Sequence, residues 1–291
     1  KETRMSRVMF WDPGHGYAAN VAAACAVTVG LHYPRRVLLF NDGRHGSGVE
    51  EGLRAGSRHT PESGPGNTGA MDTRLSEYGA DALLRLSASG LLTKANYSDY
   101  TLPVIRGRLD LATGVRAGDL RGTSGFDEGE GLLELAMAAE QSYDLVLRHA
   151  PRIRELPEAS AGSEEEIVVA VLQQRRSQLD DFFAALANQP LAGRRKLCVV
   201  LAPYDPGCAL NLANLKRRYR SDLPVHGIPY DTEFADAWND RDVLSFFRRY
   251  RLLPKRGGSR EAMLSCCRNL SRNLLELAGQ AAGQTTRERG A

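Results

Sequence analysis

The stretch Arg7-Val8-Met9-Phe10-Trp11-Asp12-Pro13-Gly14-His15-Gly16-Tyr17-Ala18 sets the frame for the chain. Arg7 to Trp11 is short, apolar and β-favouring, so it predicts a strand, and Asp12-Pro13-Gly14-His15-Gly16 carries the residues of a tight turn. An Ala- and Val-rich run from Ala18 to Leu31 follows with the length of a helix. Strand, glycine-containing turn and helix together form the layout in which backbone N–H groups and a helix N-terminus cradle an anion. Two glycines ahead of a helix are weak evidence alone, so the weight falls on what surrounds them.

Working outward, apolar runs alternate with helical spacing along the chain. Further strands are expected at Arg36 to Phe40, Leu109 to Ala112, Tyr143 to Leu147, Ile167 to Val171, Lys196 to Leu201 and Val225 to Ile228. Helices are expected at Asp72 to Ser89, Leu132 to Gln141, Arg176 to Leu186 and Leu210 to Tyr219, with a short one from Phe234 to Ala237. The last, Ser259 to Leu277, carries Met263, Cys267, Leu270, Leu274 and Leu277 as an apolar stripe. This alternation predicts an α/β fold, a mostly parallel sheet of about seven strands with helices on both faces. One domain over 6–278 is expected, with a loop and helical insertion at 57–108 and a polar, disordered tail at 279–291. Ser57 to Ala70 and Arg154 to Ser163 are expected to be exposed connections, and Glu164-Glu165-Glu166 a solubilising edge.

Composition narrows the function classes. With 291 residues and 42% hydrophobic, the chain can bury a large core, and a net charge of +3 is too mild to argue nucleic-acid binding. The five cysteines form no CxxC pair, so they are expected to be free thiols in a reducing cytoplasm, most of them packed as small apolar groups. No apolar run has the length to cross a bilayer.

Several segments resemble the ParA/MinD-type deviant P-loop ATPases, and they occur in that family's order over about residues 6 to 250. Arg36-Val-Leu-Leu-Phe-Asn-Asp42 is similar to the strand that ends in the first switch. Tyr143-Asp-Leu-Val-Leu-Arg-His-Ala-Pro151 is similar to the YDxVIIDTPP-like strand and second switch. Ile167 to Val171 with Ser177-Gln-Leu-Asp-Asp181 resembles the next strand and helix, and Gly227-Ile-Pro-Tyr-Asp231 with Glu233 to Trp238 resembles the late "IPYD…EAW" segment. The resemblance implies a P-loop NTPase-like fold. It also implies roles for individual positions, and there the chain departs from the pattern. Against KGGxGK[ST] it reads Asp12, Pro13, Gly14, His15, Gly16, Tyr17 and Ala18. Asp12 stands for the signature lysine, Tyr17 for the phosphate lysine and Ala18 for the metal-binding hydroxyl. His149 stands for the aspartate of the second switch. Asn41 and Gly43 stand for the first-switch aspartates, with Asp42 between them out of phase. The strand that ends in a base-reading Asn in the family ends here in Leu201-Ala202-Pro203-Tyr204.

Charge-assisted hydrogen bonds are worth about 1.5–3 kcal/mol each. Losing two lysines and the metal anchor therefore removes roughly a thousandfold or more in affinity, and Asp12 adds repulsion towards phosphate. No catalytic residue, metal site or cofactor is expected. The expected role is that of a pseudo-ATPase acting through protein partners. Ala82 to Leu92 and Tyr100 to Asp110 resemble the TadZ/CpaE branch, which implies a localisation or assembly factor for pilus or secretion machinery. One alternative is an active ATPase that binds ATP-Mg²⁺ through an atypical loop with charge supplied by a partner. Another is a DNA or membrane-surface binder working through Arg248, Arg249, Arg251, Lys255 and Arg256, a run also explained as a solvated face. Tyr17 is expected to fill the emptied phosphate pocket. His15 and His149 are weighed as a metal pair against ordinary turn and core histidines. A homodimer across the loops at Gly14, Asp42 and His149 is weighed against a monomer.

Overall fold

The computed structural model describes residues 6–53, 77–116, 128–151, 153, 166–188, 197–251 and 258–279. The expected loop at 57–70, the start of the helix placed at 72, the connection at 154–163, Glu164, Glu165, Lys255, Arg256 and the tail beyond 279 lie outside those residues.

The strands are β1 (Ser6–Trp11), β2 (Val37–Asn41), β3 (Leu102–Ile105), β4 (Leu109–Ala112), β5 (Leu145–His149), β6 (Glu166–Leu172), β7 (Leu197–Leu201) and β8 (Val225–Gly227). They form one sheet in the order β3-β4-β2-β5-β1-β6-β7-β8, with β3–β4 antiparallel and every other neighbour parallel. The expected α/β architecture is what the chain adopts, with eight strands rather than about seven. The additional strand, β3, contains Pro103, which hides strand character and is tolerated because β3 is an edge.

The helices are α1 (Tyr17–His32), α2 (Ala80–Ala88), α3 (Glu128–Ala139), α4 (Arg176–Asn188), α5 (Leu212–Tyr219), α6 (Thr232–Asn239), α7 (Val243–Arg251) and α8 (Ser259–Leu277). Helix α1 is apolar around its whole circumference and is buried accordingly, from Ala18 through Gly30 apart from Asn20. It packs with α6, α7 and α8 on one face of the sheet, against Val8, Phe10, Leu39, Leu147 and Val169. The alternate residues of the same strands face the other way. Leu38, Phe40 and Val146 meet α2 and α3, while Met9, Trp11, Val168 and Val199 meet α4 and α5. Covering on both faces explains why the strands read as unbroken apolar runs.

A buried ionic seam runs between the two cores of that second face. Arg148 on β5 donates to Asp42 Oδ2 through Nε at 2.9 Å and Nη2 at 2.5 Å, and its Nη1 lies 3.6 Å from Glu166 on β6. Arg7 on β1 pairs with Glu140 at 3.2 Å. One sequence expectation changes here, and one helix is added that the sequence reading did not place. Glu166 is no solubilising edge, because it is the first residue of β6 and buried beside Arg148. Arg248, Arg249 and Arg251 sit on α7, a helix that the basic run concealed; its other face buries Val243, Phe246 and Phe247.

Candidate functional site

The carboxyl ends of β1, β2 and β5 bring three loops together, and the loop after β1 is the one whose backbone would receive an anion. Gly16 caps α1 with φ 80°, a left-handed conformation that favours glycine, and it has no side chain with which to satisfy the helix's first N–H groups. Asp12 supplies what the cap lacks. Its Oδ1 accepts from Gly14 N at 2.7 Å and His15 N at 2.7 Å, and its Oδ2 accepts from Ala18 N at 2.9 Å. The side chain is turned inward, 9% exposed, at the positive end of α1. Three of the loop's donors are therefore engaged by the chain's own carboxylate. An incoming phosphate would have to displace three charge-assisted hydrogen bonds and then sit against the displaced negative charge.

Tyr17 does not do this work. Its ring is half-buried against the α1 core and lines a neighbouring cavity, while the N–H groups of Gly14, His15 and Ala18 go to Asp12. Residue type explains the difference: a phenol has one oxygen at the end of a bulky ring, whereas a carboxylate has two acceptors on a short stem.

His149, at the end of β5, is 4% exposed. Burial pushes its imidazole down to about 4, with the Asp12 carboxylate pulling in the opposite direction, so the ring is neutral at ordinary pH. Its Nδ1 has no hydrogen-bond partner among the described residues. The ring packs where Gly48 leaves room: a Cβ there would lie 2.7 Å from His149 Cε1, and Gly48 also has φ 64°. His15 is exposed. Among the described residues no group of three or more His, Cys, Asp or Glu side chains is placed to hold a metal ion. His149 is thus packed as a neutral core histidine.

The loop after β2 is organised by a residue that the sequence did not single out. Glu50, buried in the 3-10 turn Gly48–Gly52, accepts from Asn41 Nδ2 at 2.6 Å, Gly46 N at 2.8 Å and Gly114 N at 2.7 Å. His45 Nδ1 lies 3.3 Å from the same carboxylate. Asn41 also donates to Ser47 O at 2.9 Å, and its Oδ1 accepts from Gly43 N at 3.1 Å. Asn41 and Gly43 are bound up in a closed loop, and Asp42 is spent on Arg148. The only trace of Glu50's role in the sequence is a carboxylate amid the glycines 43, 46, 48 and 52.

These residues do not fit magnesium-bound ATP. No lysine stands at the loop, the N–H groups of Gly14, His15 and Ala18 are taken, and the carboxylates at 12, 42 and 50 are engaged by protein donors. Beside the loop lies a cavity of about 170 Å³ between α1, the ends of β7 and β8, and α6, with Tyr17, Asn20, Pro203, Pro229 and Trp238 in its wall. The basic residues of α7 stand apart from these loops, and Arg251 donates to Leu31 O near the opposite end of α1 at 3.1 Å.

No family model and no curated protein matches the chain. Solved structures do. The septum site-determining protein MinD of Pyrococcus horikoshii, complexed with Mg-ADP, superposes with a TM-score of 0.60 at 14% identity, covering 96% of this chain and 99% of its own. A ParA family ATPase from Chlorobium tepidum gives 0.58 at 13% identity, over 91% and 98%. A plasmid partition protein of Borrelia burgdorferi bound to AMPPNP gives 0.55 at 9% identity, over 94% and 98%. At these identities the likeness is one of fold. The chain has the fold of ParA/MinD-type P-loop ATPases.

Proposed function

We propose that this chain is a non-hydrolysing relative of the partition and septum-site ATPases, a pseudo-ATPase that works by binding other proteins. The observation that carries the reading is the Asp12 carboxylate, hydrogen-bonded to Gly14, His15 and Ala18 where those proteins' fold would receive phosphate. The replacements at Tyr17, Ala18 and His149 support it, since each removes a charge or metal anchor on which phosphoryl-transfer chemistry depends. A rescue by partner-supplied charge would still have to evict Asp12, which makes an active ATPase the weaker reading.

With hydrolysis set aside, the surface is what remains to act. The resemblance of the 82–92 and 100–110 segments to the TadZ/CpaE branch favours a localisation or assembly factor for pilus or secretion machinery. In a homodimer across the loop face, His15 and Tyr17 would supply the contact, because Asp42 and His149 are buried within one chain. The test is paired. Phosphate release at millimolar ATP-Mg²⁺ is expected to match a protein-free blank, and partner capture from the source cell is expected to be equal with and without ATP. Measurable turnover, or capture that requires ATP, would overturn the proposal.

A further inference from the structure

Helix α5 ends in a cluster of cations. Lys216, Arg217 and Arg218 are exposed on its last turn, Arg220 is exposed at its C-cap, and the helix contains no acidic residue. A cation or two would be enough to complement the dipole at that end. Arg220 goes further, because φ is 48° there, a left-handed conformation that glycine adopts freely and arginine only at a cost. Apolar surface lies beside these charges. Phe183 on α4 stacks on Tyr219 with ring centroids 4.2 Å apart and planes 11° apart. Both rings are half-buried, as are Leu186, one turn further along α4, and Leu223 beyond the cap. The core beneath is therefore incompletely covered at the place where the cations gather.

The chemistry of this surface selects its occupant. Tyr219 is engaged by Phe183 and by Arg218, whose guanidinium carbon lies 5.6 Å from its ring centroid, and its hydroxyl donates to Asp180 Oδ1 at 2.7 Å. The ring is therefore not offered to a nucleic-acid base. Carboxylates at Asp180, Asp181 and Asp222 interrupt the cations, and a phosphate backbone with its closely spaced charges would run over them. Arg218 is shared with Asp180 at 3.5 Å, whereas Arg217 donates to the neutral amide of Asn214 at 3.1 Å, a contact that leaves its charge uncompensated. A protein segment can set spaced carboxylates against Lys216, Arg217 and Arg220 and its apolar side chains against the half-buried rings and leucines.

We propose that the end of α5, with the adjoining face of α4, is a docking surface for an acidic segment of a protein partner that carries apolar side chains between its carboxylates. This rests on the reading of the chain as a protein-binding molecule, names the class of partner, and needs no nucleotide. The experiment is fluorescence anisotropy on the full chain with three labelled, helix-length peptides. One combines glutamate with leucine, one glutamate with serine, and one lysine with leucine, and duplex DNA and phosphatidylglycerol vesicles are added as competitors. The glutamate–leucine peptide is expected to saturate at micromolar protein, at least about tenfold tighter than the glutamate–serine peptide, and to weaken as salt rises. Lys216→Glu combined with Arg217→Glu is expected to weaken it at least about tenfold and to gain the lysine–leucine peptide, a reversal that a misfolded chain would not show. Glutamate–leucine binding indifferent to that double variant, or failure of every peptide to saturate, would overturn the surface. DNA or vesicles binding more tightly than the peptide would overturn it too, by assigning the cations to phosphate. Turnover of ATP-Mg²⁺ by a chain that still binds the peptide would instead overturn the pseudo-ATPase reading and leave the docking surface standing.

Discussion

At the scale of single residues, the loop after β1 is decided by Asp12, whose carboxylate accepts from the N–H groups of Gly14, His15 and Ala18. Asp12→Ala is expected to lower stability by roughly 2–4 kcal/mol in urea unfolding, since it removes a helix cap and two further charge-assisted bonds. The same variant frees three N–H groups, so inorganic pyrophosphate is expected to bind at least about tenfold tighter than to the parent. A variant as stable as the parent and equally indifferent to pyrophosphate would contradict the cap. His149 supplies the pH dependence. Its folded-state value of about 4 lies below the ordinary 6.5, so the unfolded chain binds the extra proton first as pH falls. Its contribution is therefore complete above 6.5 and lost progressively towards 4, about 3 kcal/mol in all. His149→Gln is expected to flatten that part of the stability profile. An unchanged slope between pH 6.5 and 4 would show that the ring is not held neutral.

At the scale of elements, the loop after β2 hangs on Glu50, whose carboxylate joins the end of β2, its own 3-10 turn and the strand-end residue Gly114. Glu50→Ala is expected to cost roughly 2–4 kcal/mol and to speed amide hydrogen exchange at Gly46 and Gly114. Exchange at those two amides unchanged from the parent would contradict the tie. The elements also show where sequence reading works. Strand β6 was legible as a long unbroken apolar run and helix α8 by the period of its apolar stripe, and α8 begins and ends at the expected residues. Strand β3 was hidden by Pro103, and α7 by arginines whose charge masked Val243, Phe246 and Phe247 on the other side. The turn between β1 and α1 was legible from the sequence, but the bonds made within it were not. Asp12 reads as a repulsive charge in sequence and becomes a structural acceptor only when the turn folds it back, and Glu50 has no motif. Such contacts depend on the third dimension, where residues 50 and 114 meet across 64 positions.

At the scale of the whole molecule, an eight-stranded sheet with helices on both faces holds the loops in place. If the loop face pairs two copies, Tyr17→Glu would place a carboxylate at its centre and shift sedimentation at micromolar concentration from dimer to monomer. A parent already monomeric would remove the dimer from the account while leaving the closed loop intact. The closed loop itself is tested most directly by isothermal titration of ATP-Mg²⁺ into the purified chain. With Asp12 occupying the N–H groups of Gly14, His15 and Ala18, no saturable heat is expected at millimolar nucleotide, whereas a dissociation constant in the micromolar range would contradict the account at its centre.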